Sequence, residues 1–225
     1  MKLLYKKDKD KKDILIDNNN NQQVMMEWEK PYMEALVEKL NPSGDVLEIG
    51  FGLGYSADVI QKYDINTHTI IECNPEVLKK LRKWAKKQKH PVIIVEGTWQ
   101  EKLPTINQHF DSFFMDDYPF TDCPDPKDVR YFHFYFHIIK NNVNKNARFT
   151  WFCSRSITWP CSMWMKWDSE DYNINIPENV NYIDEYEKRA TVNKLYLPLV
   201  TFKCSSPMSI DPIIIEKFVV NNERD

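Results

Sequence analysis

Four of the five glycines in this 225-residue chain stand between positions 44 and 54, and no other feature constrains the fold as much. Gly50, Gly52 and Gly54 follow a short apolar run, residues 45–50 (DVLEIG), and precede the helical pattern of residues 57–63. A strand, a glycine turn and a helix in that order put bare backbone N–H groups at a helix N-terminus, where a ligand can approach without meeting a Cβ. At the ordinary usage of about 7%, glycine would be scattered through turns. This chain concentrates it in one loop, with Gly44 as a turn glycine and Gly97 as the outlier.

The strand–helix unit then recurs. Residues 68–73 (HTIIEC), 91–97 (PVIIVEG), 109–117 (HFDSFFMDD) and 147–153 (ARFTWFC) read as strands, and residues 75–87 and 127–142 as helices. Short apolar runs alternating with helices imply strands covered on both faces. The expected fold is therefore α/β and Rossmann-like, a mostly parallel sheet with helices on both faces. Residues 181–189 (NYIDEYEKR) and 193–202 (NKLYLPLVTF) are expected to add an antiparallel C-terminal edge pair.

Upstream, Val24, Trp28, Tyr32, Met33, Leu36, Val37 and Leu40 recur at spacings of three and four, which predicts one amphipathic helix over residues 23–40. Residues 1–23 carry a Lys/Asp run and an Asn tract and are expected to form a mobile arm. Residues 24–225 are then a single domain.

Composition excludes several function classes. Thirty basic against 33 acidic residues leave a net charge of −3, which offers no field to hold a nucleic-acid backbone. No apolar run approaches the length of a membrane span. The five cysteines are odd in number and lack a C-x-x-C pair, against a disulfide framework or a zinc site. His133 and His137 are spaced as a zinc pair, but the H-E-x-x-H pattern is missing, so no metal is expected. The charged N-terminus lacks the apolar stretch of a signal peptide. A cytoplasmic protein, monomer or homodimer, fits these features.

The motif Glu48-Ile49-Gly50-Phe51-Gly52-Leu53-Gly54 departs from the dinucleotide fingerprint G-x-G-x-x-G by its G-x-G-x-G spacing and preceding acid. That variant resembles motif I of the class I S-adenosylmethionine-dependent methyltransferases. Glu72 ends the second strand, a place from which a carboxylate can accept bonds from both ribose hydroxyls. The plainer alternative is a solvated strand-end carboxylate, and the glycine loop upstream favours the ribose.

Longer stretches resemble the guanidinoacetate N-methyltransferase family: VMMEWEKPYM (24–33), VLEIGFGLG (46–54), IIECN (70–74), LRKWA (81–85) and HFDSFFMDDYP (109–119). This resemblance implies S-adenosyl-L-methionine as cofactor, S-adenosyl-L-homocysteine as its product, and a small guanidino substrate, with guanidinoacetate converted to creatine. It implies that Met25 and Met33 flank the methionine part, and that Glu48, Gly50, Phe51, Gly52, Leu53, Gly54, Tyr55 and Ser56 form the cradle. Glu72 would take the ribose, Cys73 and Asn74 would lie beside the adenine, and Trp99 and Gln100 would close over it. Glu29 and Asp116 would be the catalytic carboxylates, Asp116 also bordering the cofactor.

The chemistry of that pair stands on its own. A protonated guanidinium has a pKa above about 12 and no free lone pair, so it is a poor nucleophile until a proton leaves. Two carboxylates bind its planar fork and one accepts the proton. Asp117 competes with Asp116, because alternate strand residues face opposite sides; register with the family points to Asp116. Two rival functions are methylation of arginine, in a protein or free, and a silent methyltransferase fold acting as a binding protein.

Some segments depart from the family. The N-terminal segment is not recognisable, and the usual Pro-Gly-Gly turn is replaced by residues 141–146 (NNVNKN), where Asn tolerates positive φ. Arg155 is a candidate partner for a substrate carboxylate. Trp159, Trp164 and Trp167 form either a lid or a core, and residues 207–225 either an edge strand or an oligomer contact.

Overall fold

The computed structural model describes residues 2–117, 138, 141–153, 165–175 and 194–205. Among the described residues, ten strands lie in two sheets. The larger is built around β4 (Gly44–Ile49), flanked by β5 (Ile65–Glu72) and β6 (Val92–Glu96) on one side and by β7 (Phe110–Met115) and β8 (Val143–Trp151) on the other. These five run parallel. β9 (Met165–Asn173) and β10 (Lys194–Phe202) complete the order β6-β5-β4-β7-β8-β10-β9, with β10 antiparallel to both neighbours. This is the Rossmann-like arrangement with an antiparallel edge.

Alternation along the central strands divides their side chains between two cores. Val46, Ile70 and Phe114 pack with α1 (Lys30–Leu40), α2 (Tyr55–Ile60) and α3 (Pro75–Ala85) on one face. Leu47, Ile49, Ile71, Phe113 and Met115 pack on the other with Trp99 and Leu103, from α4 (Trp99–Lys102) and the 3-10 turn after it, and with Ile138. Both faces are covered, so these strands carry unbroken apolar runs instead of alternating ones.

Four expectations need correction. Residues 1–23 are not an arm: β1 (Leu3–Lys7) and β2 (Asp13–Asp17) pair with β3 (Gln23–Met26) in a three-stranded antiparallel sheet that buries Leu3, Leu15 and Ile16. The polar tracts that suggested disorder are its turns. Asp8 Oδ1 accepts the N–H groups of Asp10 and Lys12, and Asn20 Oδ1 that of Gln22, while Lys11 and Asn21 take positive φ.

The helix expected over residues 23–40 is β3, a 3-10 turn at Glu27–Glu29, and only then α1. Pro31 lies in the first turn of α1, where its missing N–H costs nothing. The Asn-rich segment after residue 141 is not a turn before β8, because the strand starts at Val143 and a bulge with Asn146 at φ +68° absorbs the extra residues.

Finally, the partner of β10 is β9; residues 181–189 lie outside the described residues. β9 escaped the sequence reading because it is an edge strand with exposed charges at Lys166, Asp168, Glu170 and Asp171. His133, His137, Arg155, Trp159, Trp164 and residues 207–225 also lie outside the described residues. Trp167 is described, and its ring stacks on Trp151 at 5.6 Å against the second core. No helix among the described residues is long and apolar enough to cross a membrane.

Candidate functional site

Chain direction reverses about β4, since β5 and β6 build one way and β7 and β8 the other. Open parallel sheets bind ligands outside the carboxyl ends of strands at such a switch point. That rim carries residues 50–54 after β4, Glu72 to Asn74 after β5, Gly97 to Trp99 after β6, and Asp116 and Asp117 after β7.

The glycine loop is fixed from several directions. Gly50 N–H donates to Ile71 O on β5, and Asp116 N–H donates to Ile49 O, which ties the end of β7 to the same turn. Gly50 has φ +82° and Gly52 φ +50°, conformations that side-chain-bearing residues rarely adopt. A Cβ at Gly50 would collide with the Asp116 carbonyl oxygen, and one at Gly52 would stand 2.6 Å from Met25 Sδ. Met25 Sδ in turn accepts the Leu53 N–H at 3.1 Å.

Glu72 is 8% exposed. Its Oε2 accepts the Phe51 N–H at 3.0 Å, and its Oε1 those of Cys73 at 2.8 Å and Asn74 at 2.7 Å. Burial raises its pKa above the ordinary glutamate value; the three backbone N–H bonds pull the other way, and the Glu48 charge adds to the rise. With about four lone-pair sites on a carboxylate, three are filled by backbone and one remains on Oε2. A buried acid beside bare glycine backbone at a switch point fits the ribose and methionine ends of the expected cofactor.

The other expected residues sort into rim and support. Glu48 is fully buried; Ser56 Oγ donates to its Oε1, and His68 Nε2 lies 2.8 Å from its Oε2 in a bent geometry. Gln61 Oε1 accepts the His90 N–H, so its amide nitrogen faces His68 Nδ1 at 3.3 Å and leaves the imidazole proton on Nε2, toward Glu48. Glu48 and Ser56 thus bind each other behind the loop and brace it.

Asn74 Oδ1 accepts Glu76 N–H as the N-cap of α3. Burial and the neighbouring Glu72 push the Cys73 thiol up to about 11, so it stays protonated. Met33 is fully buried in the core that also holds Met25, Phe51 and Leu53. Gln100 is exposed. The Tyr55 hydroxyl is buried without a hydrogen-bond partner, its pKa raised by burial and by Asp13, Glu27 and Glu29.

Glu29 is 3% exposed, and its Oε1 accepts the Met26 N–H at 2.8 Å. Asp116 is half-buried at the rim. Asp117 Oδ2 accepts the Trp99 indole N–H at 3.0 Å, which couples the ends of β7 and β6.

Sequence reasoning missed Tyr5, Lys80 and His68. A histidine opening an apolar strand is a signal for His68, since a buried ring nitrogen needs a partner. Tyr5 and Lys80 carry no local signal. Among the described residues no group of three or more His, Cys, Asp or Glu is arranged to hold a metal ion.

Known proteins match in two ways. The family of guanidinoacetate N-methyltransferases matches residues 6–168. Protein arginine N-methyltransferase 2 of Candida glabrata is 38% identical over 115 residues, covering 47% of this chain and 28% of that protein. Its namesake in Saccharomyces cerevisiae is 37% identical over 110 residues, covering 46% and 27%. The chain thus corresponds to little more than a quarter of these relatives' length.

Among solved structures, spermidine synthase in complex with the transition-state analogue AdoDATO aligns with TM-score 0.55 at 15% identity, over 96% of this chain and 78% of that one. The O-methyltransferase TomG of Streptomyces achromogenes, in complex with its cofactor, aligns with TM-score 0.53 at 14% identity, over 78% and 80%. These likenesses speak to the fold. With a switch-point glycine loop, a buried glutamate at the end of β5 and a family match over most of its length, the chain belongs to the guanidinoacetate N-methyltransferase family, with the class I methyltransferase fold and S-adenosylmethionine as its cofactor.

Proposed function

We propose that the chain is an N-methyltransferase acting on a guanidino nitrogen, with guanidinoacetate as the acceptor and creatine as the product. The observation that carries this reading is Glu29, a carboxylate 3% exposed in a short 3-10 turn beside the core of the glycine loop. A carboxylate has about four lone-pair sites; one takes the Met26 N–H, and the paired N–H groups of a planar guanidinium match the geometry of such a group.

S-adenosylmethionine would supply an electrophilic methyl group on a sulfonium sulfur, the electrons of the broken S–C bond staying with that sulfur in the thioether of S-adenosylhomocysteine. Glu29 and Asp116 would grip the planar guanidinium through paired N–H···O bonds and align one nitrogen. Asp116 takes the proton that this nitrogen sheds as its new N–C bond forms. Glu72 holds the ribose, Met25 lies against the loop, and Trp99 borders the base. The free thiol of Cys73 supports a cytoplasmic location.

A second reading, methylation of an arginine side chain in a protein, is favoured by the names of the fungal relatives. Incubation with methyl-labelled cofactor and, in parallel, guanidinoacetate, free arginine and an arginine-bearing protein separates the two. Label on guanidinoacetate supports the first and label on the protein alone supports the second. Absence of label on any guanidine overturns both.

A further inference from the structure

The Gly52–Leu53 peptide is held at both edges by the N-terminal sheet. Tyr5, on β1, donates its hydroxyl to Gly52 O at 2.9 Å, and Met25, on β3, receives the Leu53 N–H on its sulfur at 3.1 Å. The next carbonyl, Leu53 O, accepts Lys80 Nζ from α3 at 3.0 Å. Lys80 Nζ also stands 4.6 Å from the centroid of the Tyr5 ring, within cation–π range. Three elements distant in sequence therefore meet on two adjacent peptide units of the cofactor loop.

Glycine peptides flip easily because both φ signs are open to them. A loop that presents N–H groups to a ligand must hold its peptide planes in one orientation, and anchoring the carbonyls from behind does this. The Lys80 ammonium is partly desolvated, which lowers its pKa, and burial with the Glu72 and Glu76 charges raises that of Tyr5. The raised value keeps the Tyr5 hydroxyl in its donor form at neutral pH.

We propose that Tyr5 and Lys80 are positioning residues for the cofactor: they clamp the Gly52 and Leu53 carbonyls, so the N-terminal sheet forms the back wall of the S-adenosylmethionine site. The inference depends on the cofactor and not on the identity of the acceptor. A loop that must be ordered at the moment of binding binds more weakly than one held in place beforehand.

The test uses the full chain with Tyr5→Phe, Lys80→Met and Lys80→Arg. Calorimetric titration with S-adenosylhomocysteine should show roughly three- to tenfold weaker binding for Tyr5→Phe and Lys80→Met, the range of one lost hydrogen bond, with Lys80→Arg restoring most of it. Hydrogen exchange on the cofactor-free protein should accelerate at residues 52–54 and stay unchanged in the β4–β7 core. In whichever methyl transfer is observed, KM for the cofactor should rise more than kcat falls. Unchanged affinity and loop exchange in both Tyr5→Phe and Lys80→Met overturn the proposal, as does exchange that accelerates uniformly across the chain. Loss of acceptor methylation with these binding effects intact refutes the acceptor assignment alone.

Discussion

The indole Nε1 of Trp99 donates to Oδ2 of Asp117 at 3.0 Å, and this bond ties Asp117 to the segment that follows β6. In the proposed function Asp116, and not Asp117, serves the acceptor. Asp116→Asn should lower kcat by about 10²–10⁴-fold, the usual weight of a general base, with S-adenosylhomocysteine affinity within about threefold of the parent. Asp117→Asn keeps an acceptor for the indole and should change kcat far less. Single-turnover kinetics with calorimetry checks this, and the reverse ranking reassigns the base.

Two of the loop glycines, Gly50 and Gly52, should not be equivalent. Alanine at Gly50 would meet the Asp116 backbone carbonyl, which cannot move without disrupting the end of β7. At Gly52 the obstacle is the flexible Met25 thioether. With left-handed backbone costing about 1–3 kcal/mol for a side-chain-bearing residue, Gly52→Ala should fall near that range and Gly50→Ala beyond it. Urea unfolding of the two variants gives the order directly.

The raised pKa of Glu72 makes a signed prediction. Its folded value lies above its unfolded one, so the stability it contributes is complete below the ordinary glutamate pKa and is lost as pH rises through the folded value. If Glu72 takes the ribose as proposed, cofactor affinity should move oppositely, rising over the same window as Glu72 ionises. Glu72→Gln should abolish both slopes. Thermal unfolding and calorimetry from mildly acid to neutral pH test this, and parallel slopes in parent and variant would assign the titration elsewhere.

Glu48 and His68 are both fully buried and 2.8 Å apart. Removing the imidazole leaves the buried Glu48 carboxylate with Ser56 as its side-chain partner, so His68→Ala should cost about 1–3 kcal/mol, the range for a buried polar group that loses its neighbour. Glu48→Gln in that background should cost much less than in the parent, because the stranded charge is gone. Chemical unfolding of the four members of this cycle measures the coupling.

The parallel half of the sheet was legible because its signals are local. Each central strand is covered on both faces and so appears as a run of apolar residues, as in Val46, Leu47 and Ile49. The glycines were legible because left-handed backbone and close approach leave few alternatives. β9 was not, since an edge strand pairs on one side only and its charged residues follow solvent. The N-terminal sheet was not either, because its Asp8 and Asn20 turns have the composition of disorder until the strands they join find each other.

The amino-acid sequence by itself determined the order of the strand–helix units, the loop at which backbone is bare, and the acids at the ends of β5 and β7, since each follows from residue type and spacing within one element. Only the tertiary structure decided how the acids divide their work. Glu48 and Glu72 are both buried carboxylates from neighbouring strands, yet one meets His68 and Ser56 behind the loop and the other meets the backbone N–H groups at the rim. The clamp of Tyr5 and Lys80 on Gly52 and Leu53 likewise joins positions far apart in the chain. Such pairings are set by sheet register and packing, which no local pattern of residues encodes.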